Sequence, residues 1–154
     1  MVAGLTHFCI RKSSVLSQIC GDMVAFRCYD PSANGGGGIH GWYSGLSPEF
    51  RAEIDATLEL LALDRDLDAV EQVERLHGAC EGLTEIIVDF CVRKTEVHIR
   101  ILGFDGPGRD EFTLLTGFEK EKDNAIYGYY CPQAHQRKQG VMRDGRRAPP
   151  CRFP

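Results

Sequence analysis

The chain has 154 residues, 43% of them hydrophobic and 26% charged, which is typical of one globular domain that can bury its own core. It lacks any apolar run long enough to span a membrane, and its first basic residues, Arg11 and Lys12, follow apolar residues, the wrong order for a secretory signal. The seven cysteines are odd in number and show no CxxC spacing. We therefore expect reduced thiols in a cytoplasmic protein.

The net charge of −4 hides a separation of charge along the chain. Residues 49–89 carry twelve acidic and three basic side chains, whereas residues 131–154 carry six basic and one acidic. This separation is typical of a protein with an acidic helical surface and a basic face for a polyanion. A solvated helix followed by a frayed tail would give the same pattern.

The first part of the chain predicts an extension, a strand and a loop. Residues 1–22 show no clear period and are interpreted as an N-terminal extension of uncertain order, ahead of a domain over residues 23–140. MVAFRCYDP predicts a strand closed by Asp-Pro, and the glycine run after it predicts a loop. IHGWYSG predicts either a short strand or an irregular segment.

Two helices are predicted next. Ser47 can cap a helix that begins at Pro48, and apolar residues at helical spacing continue it to Leu61. LDAVEQVERL has an apolar residue at every third position and predicts a second, shorter helix. Gly78 suits the left-handed position at its end, and His77 is interpreted as a cap rather than a ligand.

The remaining elements predict the fold class. LTEIIVDFCV, VHIRILGF and EFTLLTGF alternate with period two and predict a three-stranded antiparallel meander. Pro132 predicts the first turn of a C-terminal helix, and residues 141–154 predict a mobile basic tail rich in Pro and Gly. We expect an α+β fold: a small antiparallel sheet, made of the meander and the N-terminal strand, with two N-terminal helices packed on one face.

Arg100 is the first candidate for chemistry. It shares one face of its predicted strand with His98, and the apolar residues on the other face point to the helices. A guanidinium fixed on a strand suits phosphate recognition, because its planar fork can bind two oxygens at once. The alternative is a surface arginine paired with Glu85 or Asp89 across the sheet.

Basic and aromatic residues follow the third strand of the meander. If that strand continues, Lys120 and Lys122 share one face, where a lysine can act as a base on a ribose 2′-OH or stabilise a phosphorane. The alternative is a solubilising strand end. Tyr127 and Arg137 belong to a stretch whose composition suits stacking of unpaired RNA bases, although a core role for the tyrosines is the default. No GxSxG or HExxH motif is present, so we expect no metal or cofactor site.

The segments GLTEI, HIRILGF and FTLLTGFEKEK, followed by Ala134 and Arg137, resemble in order and spacing the RelE/HigB superfamily of bacterial toxins. The pattern is most similar to that of the phage-derived, HigB-like branch and covers about residues 23–138. The resemblance implies a RelE-like fold and a ribosome-dependent mRNA endonuclease that promotes attack of a 2′-OH on the adjacent phosphate without a metal. It also implies three partners in the cytoplasm and none in the membrane: a cognate antitoxin of the Xre helix-turn-helix type, the ribosome and its mRNA.

The resemblance also implies a set of site residues. The catalytic set carried over by position is Arg100, Lys120, Lys122, Tyr127 and Arg137, and the expected RNA-binding set is Arg93, Lys94, His98, Lys138, Arg143, Arg146 and Arg147. Glu121 interrupts the basic pair that the family places after Gly-Phe. Two other functions stay open: a non-catalytic nucleic-acid or partner-binding module of the same fold, and a gyrase inhibitor like the ParE members of the superfamily.

Overall fold

A five-stranded sheet with helices on both faces forms the fold in this computed structural model, which describes residues 23–32, 37–64 and 66–153. The predicted N-terminal extension, residues 1–22, lies outside the described residues. The strands are β1 (Ala25–Cys28), β2 (Val73–Arg75), β3 (Thr84–Val92), β4 (Thr95–Asp105) and β5 (Glu111–Glu119). The helices are α1 (Gly38–Ser44), α2 (Pro48–Ala62) and α3 (Ile126–Arg143). Within the described ranges, none of these helices is long and apolar enough to cross a membrane.

The sheet has the order β1-β5-β4-β3-β2, and its three central strands are the predicted antiparallel meander. The general α+β class is therefore confirmed. The prediction of a wholly antiparallel sheet is wrong, because β1 pairs with β5 in parallel. Parallel neighbours need a long connection, and the chain between these two strands passes through both N-terminal helices and the rest of the sheet.

The start and the buried stripe of α2 follow the prediction. The Ser47 hydroxyl accepts a hydrogen bond from the Phe50 amide at 3.4 Å, and the helix begins at the proline between them. Ile54, Leu58 and Leu61 are fully buried in a cluster that also contains apolar residues of β3, β4 and β5. One face of α2 thus covers one face of the sheet.

The segment IHGWYSG forms α1 and not the strand or irregular segment that its composition predicts. Ile39 is fully buried, and Trp42 packs against the same cluster as α2. A Cβ at position 117 would lie 2.3 Å from the Trp42 ring, so Gly117 gives this ring room to lie on β5. A contact between residues so far apart in sequence leaves no local signal in the IHGWYSG pattern.

The predicted second helix is wrong. LDAVEQVERL contains a 3-10 turn, Leu67–Ala69, followed by β2 at the edge of the sheet. Val73 pairs with Ile86, and the Ile87 amide donates to the Gln72 carbonyl at 2.8 Å. A spacing of three residues in a short window suits a helix, but the open edge of β3 satisfies these backbone groups instead. His77 makes no side-chain capping hydrogen bond.

The C-terminal helix begins earlier than predicted. α3 starts at Ile126 and contains Pro132 in its interior, although proline disrupts a helix there by lacking an N–H. Tyr127 and Tyr130, both ahead of the proline, pack their rings against Phe118 of β5. This packing places the first turns of α3 on the sheet face opposite α2. It also explains why the helix begins at Ile126, ahead of the start that Pro132 predicts.

The basic tail is packed on the sheet, which corrects the prediction of a mobile segment. After a 3-10 turn, Gly145–Arg147, the chain runs beside β1. The Cys28 amide donates to the Pro149 carbonyl at 2.9 Å, and the Cys151 amide donates to the Phe26 carbonyl at 3.0 Å. Phe153 is buried and stacks on Tyr43 of α1 with the ring centroids 3.8 Å apart.

The expectation of reduced cysteines is wrong for four of the seven. Cys28 is disulfide-bonded to Cys151, and Cys80 to Cys131. The first bond joins the C-terminal segment to β1, and the second joins α3 to the turn that precedes β3. Disulfides persist in oxidising compartments, so these bonds do not fit the expectation of a reducing cytoplasm. Cys91 is the free cysteine among the described residues.

Candidate functional site

A cleft of about 580 Å³ lies beside the start of α3, where β4 begins and β5 ends. We call it the Arg100 cleft. Its lining residues are mostly charged: Asp89, Glu96, His98, Arg100, Glu119, Lys120, Glu121, Lys122 and Asn124. Three of the predicted catalytic residues and one predicted RNA-binding residue, His98, are therefore brought together here.

Arg100 is fixed at the base of this cleft. As predicted, it faces away from Val97, Ile99 and Ile101, which lie in the cluster under α1 and α2. It is not open to solvent, however, because only 7% of the residue is exposed. Its Nη1 donates to Asp89 Oδ1 at 2.5 Å and to the Ile99 carbonyl at 2.9 Å.

A second carboxylate lies on the other side of the guanidinium. Arg100 Nε is 3.4 Å from Glu85 Oε1, and Glu85 is only 2% exposed. Burial alone would lower the pKa of Arg100, but the interactions with Asp89 and Glu85 raise it, so the guanidinium stays charged. The cross-strand ion pairs that the sequence offered as the alternative for Arg100 are both present.

Asp89 also contacts His98, its neighbour across the β3–β4 pair. The distance from His98 Nδ1 to Asp89 Oδ1 is 3.0 Å. Partial burial acts to raise the pKa of Asp89, but hydrogen bonds from Arg100 and His98 lower it below its ordinary value. Asp89 beside Nδ1 orients the imidazole, as the carboxylate does in a general acid–base histidine. Nε2 lies 3.8 Å from Glu96 Oε2, beyond hydrogen-bond distance, and is the ring nitrogen left for a substrate proton.

Lys120 and Lys122 both line the cleft, but not through the predicted alternation. β5 ends at Glu119, and the Lys120 amide donates to the His98 carbonyl at 2.7 Å. Because the strand does not continue, the two lysines and the two glutamates Glu119 and Glu121 all lie along the same rim. The rim therefore carries as many carboxylates as ammonium groups.

Tyr127 lies next to the cleft at the start of α3. Its ring packs edge-on against Phe118, with the centroids 5.6 Å apart, and Lys120 Nζ is 5.5 Å from the ring centroid. Burial and the interaction of its hydroxyl with Glu85 raise the pKa of Tyr127. Burial likewise raises the pKa of Glu85. The sequence predicts Glu85 only as an ion-pair partner of Arg100. Its spacing of four residues from Asp89 places both carboxylates on one face of β3 and is the sequence signal for a role in the site.

Two basic residues of α3 hold the helix on the protein and do not line the cleft. Arg137 donates to the Leu115 carbonyl at 2.8 Å and lies over the Tyr29 ring at 5.0 Å from its centroid. Lys138 donates to the Gly82 carbonyl at 2.7 Å. The helix arginine that the resemblance carries over as catalytic therefore contacts β5 and not the Arg100 cleft.

The other predicted RNA-binding residues also lie elsewhere. Arg93 and Lys94 form the exposed turn between β3 and β4, both with positive φ (48° and 67°). The three arginines Arg143, Arg146 and Arg147 lie at or after the C-terminal end of α3. The single basic face expected from the charge pattern is not present among the described residues.

Besides His98, the Arg100 cleft carries three basic side chains against four carboxylates. The described part of the chain contains no group of three or more His, Cys, Asp and Glu side chains that could hold a metal ion. Comparison of the chain with protein-family models, curated proteins and solved structures finds no match. Its function therefore has to follow from the residues of the cleft and from the sequence motifs.

Proposed function

We propose that the protein is a ribosome-dependent mRNA endonuclease of the RelE/HigB type, the toxin of a type II toxin–antitoxin system. One observation supports this proposal above the others. Arg100, His98 and Lys120 line one cleft, and Tyr127 lies directly beside it. These are the side-chain types that phosphodiester cleavage by a neighbouring 2′-OH needs: a base, an acid and cations for the phosphorane.

Each residue of the cleft has its own role in the proposed reaction. The 2′-oxygen forms a bond to the adjacent phosphorus while the bond from phosphorus to the 5′-oxygen breaks, leaving a 2′,3′-cyclic phosphate and a 5′-hydroxyl. His98 Nε2 accepts the proton of the 2′-OH, with Nδ1 oriented by Asp89. The Lys120 ammonium donates a proton to the leaving 5′-oxygen, and Lys122 contacts the RNA backbone.

Arg100 stabilises the negative charge on the phosphorane. Asp89 and the Ile99 carbonyl occupy its Nη1, whereas Nη2 makes a long contact of 3.5 Å to Asp89 Oδ2, and the Tyr127 hydroxyl also interacts with the guanidinium. A guanidinium has five N–H groups, so Nη2 can donate to a phosphate while Nη1 keeps its partners. This fixed donor would need little reorganisation in the transition state, which is the condition for electrostatic catalysis.

The proposal includes the partners that the resemblance implies. The ribosome presents the mRNA to the cleft, and an Xre-type antitoxin holds the toxin inactive. Both act in the cytoplasm, where disulfides are rare. The proposal therefore requires activity with Cys28, Cys80, Cys131 and Cys151 reduced, which cleavage assays with and without a thiol reductant measure directly.

The test is expression in bacteria combined with a purified translation reaction. The wild-type protein should slow growth and cut mRNA only while it is translated, and Arg100→Ala should abolish both effects. Arg109→Ala is the matched control, because this arginine lies on the β4–β5 turn with 93% of its side chain exposed and does not line the cleft. A wild-type protein that leaves both growth and translated mRNA intact would overturn the proposal.

A non-catalytic binding module is the second candidate function, and one observation favours it. The Arg100 guanidinium is paired with two carboxylates, and the cleft as a whole is not strongly positive. A protein of this kind should bind RNA or a protein partner with an affinity that survives Arg100→Ala and Lys120→Ala, without cleavage at any time. Such a result in gel-shift and cleavage assays would select this function over the endonuclease.

A further inference from the structure

A second pocket, of about 380 Å³, adjoins the Arg100 cleft and shares Lys120 and Asn124 with it. We call it the Glu85 pocket. Its other walls come from Glu85 of β3, from Tyr127 at the start of α3, and from residues in and after β2: Glu74, Leu76, His77, Ala79 and Cys80. Its volume falls within the range of small-molecule pockets in proteins.

The carboxylate in this pocket lacks a full set of donors. Glu85 has 3% of its side chain exposed, and its Oε1 lies 3.4 Å from Arg100 Nε. The Tyr127 hydroxyl interacts with this carboxylate, but Oε2 is buried and makes no hydrogen bond of normal geometry to the described residues. An acceptor buried without a donor costs free energy, so this oxygen is suited to a ligand that brings N–H groups into the pocket.

The remaining walls restrict the shape of that ligand. Tyr127 presents an aromatic ring, Leu76 and Ala79 present apolar side chains, and Asn124 presents an amide. Proteins that recognise single-stranded RNA combine an aromatic or apolar surface with polar groups that read the edges of an unstacked base. A flat base with adjacent N–H donors would match the pocket.

We propose that the Glu85 pocket binds a guanine base, with N1–H and the N2 amino group donating to the Glu85 carboxylate. The inference deepens the proposed endonuclease function and rests on it in one respect, namely that the guanine belongs to the nucleotide whose phosphate lies in the Arg100 cleft. The ion-pair contact between Arg100 and Glu85 joins the two sites, so one nucleotide can occupy both. The enzyme would then cleave beside guanosine.

Other bases offer Glu85 fewer donors. Hypoxanthine keeps N1–H but lacks the N2 amino group, and adenine presents an unprotonated N1 that would face the carboxylate. Cytosine offers one amino group, N4, at this edge. A carboxylate that accepts two hydrogen bonds therefore discriminates in favour of guanine over each of these bases.

The test measures nucleotide binding to the purified, full-length protein and does not depend on cleavage. We expect GMP to bind at least about fivefold more tightly than IMP or AMP, because a good bidentate pair discriminates by that amount or more. Glu85→Gln should remove most of the preference for GMP. Glu53→Gln, an exposed position on α2, is the matched control and should retain it.

The outcomes separate this inference from the endonuclease proposal. A preference for GMP in a protein that never cuts RNA would support the guanine pocket and overturn the endonuclease. Equal affinities for GMP, IMP and AMP in the wild-type protein, or the absence of binding by all three, would overturn the guanine pocket even if the protein cuts RNA. Because the wild-type series decides alone, misfolding of Glu85→Gln would not rescue the inference.

Discussion

Cations that the sequence assigns to RNA lie beside the two ends of α3, and the arginines at the two places are held differently. Near its first turn, Arg100 is 7% exposed and is fixed by carboxylates from two positions of β3. Beyond its last turn, in the 3-10 turn Gly145–Arg147, Arg146 has 91% of its side chain exposed and pairs with Asp144, two residues earlier. Eighteen helical residues separate the two ends, or about 27 Å. The densest basic stretch of the sequence is therefore not the place where cations are fixed for chemistry.

Each of the two regions also has its own disulfide. Cys80–Cys131 joins α3 to the 3-10 turn beside the Glu85 pocket, and Cys28–Cys151 joins the C-terminal segment to β1. The first bond constrains the helix that supplies Tyr127 to the site, whereas the second constrains the arginine-rich segment. Differences between the regions can therefore be tested in matched pairs.

The largest expected effect is the difference in cleavage rate between alanine variants of Arg100 and Arg146. Arg100→Ala should lower the rate of mRNA cleavage about 10²- to 10³-fold, because removal of one fixed donor to a transition-state anion costs that much. Arg146→Ala should change the cleavage rate by no more than about twofold, since the partner of Arg146 is an aspartate two residues away at the surface. Single-turnover cleavage rates of the two folded variants measure the difference. Equal losses in both would show that the charge of the whole face matters and not the Arg100 cleft.

The disulfides should give the next largest effect. Replacing either pair with serines should lower the free energy of unfolding by about 2–5 kcal/mol, since both bonds close long loops, with sequence separations of 123 and 51 residues. Denaturant titrations of the oxidised wild type and of both double variants measure this. Beyond stability, only the Cys80–Cys131 variant should weaken GMP binding, because this bond lies beside the Glu85 pocket. A loss of GMP binding in the Cys28–Cys151 variant alone would contradict the comparison.

The sequence predicted those parts of the fold that depend on short-range patterns. The start and buried stripe of α2, the meander and the face of Arg100 all follow from caps and alternation. The first turns of α3 and the whole of α1 depend on contacts with β5 that bring distant residues together. The docked tail and both disulfides depend on separations of 51 residues or more. Local sequence patterns therefore do not predict the elements whose conformation depends on tertiary contacts.

The same limit applies to the site. Strand position predicts Arg100 and the charge pattern predicts Lys120 and Lys122, and all three line one cleft although β5 ends before the two lysines. The pairing of His98 with Asp89 depends on the register between β3 and β4, which the sequence leaves open. Arg137 was assigned by resemblance, but its side chain reaches the Leu115 carbonyl. Side-chain reach on a helix cannot be derived from spacing alone.

If Arg137 has a structural role, its removal should lower the free energy of unfolding by less than the removal of a disulfide does. Arg137→Ala should lower the free energy of unfolding by about 1–3 kcal/mol, because it leaves the Leu115 carbonyl without this donor and removes packing on Tyr29. The cleavage rate per folded molecule should not change. Gln136→Ala, one residue earlier and exposed on α3, is the control, with an expected loss below about 1 kcal/mol. A fall of the cleavage rate without a loss of stability would instead restore Arg137 to the catalytic set.

The smallest expected effect is a difference in how Glu85 and Asp89 make stability depend on pH. These two carboxylates lie on one face of β3, and their pKa values shift in opposite directions. Because burial raises the pKa of Glu85, the folded state binds its proton more tightly than the unfolded state does. The stability that Glu85 contributes is then full below its ordinary pKa and is lost as pH rises through the raised value. The pKa of Asp89 is lowered, so its contribution is present above its ordinary pKa and is lost as pH falls through the lowered value.

Two variants measure these opposite slopes. The stability of the wild type relative to Glu85→Gln should fall as pH rises above about 4.5, the ordinary value for glutamate. Relative to Asp89→Asn it should fall as pH drops below about 3.8, by a few tenths of a kcal/mol, because Asp89 is nearly half exposed and solvent screens its pairs. Denaturant titrations between about pH 2.5 and 8 give both slopes. Slopes of the same sign would mean that the two carboxylates share one environment, and the separate roles given to the Arg100 cleft and the Glu85 pocket would then lose their physical basis.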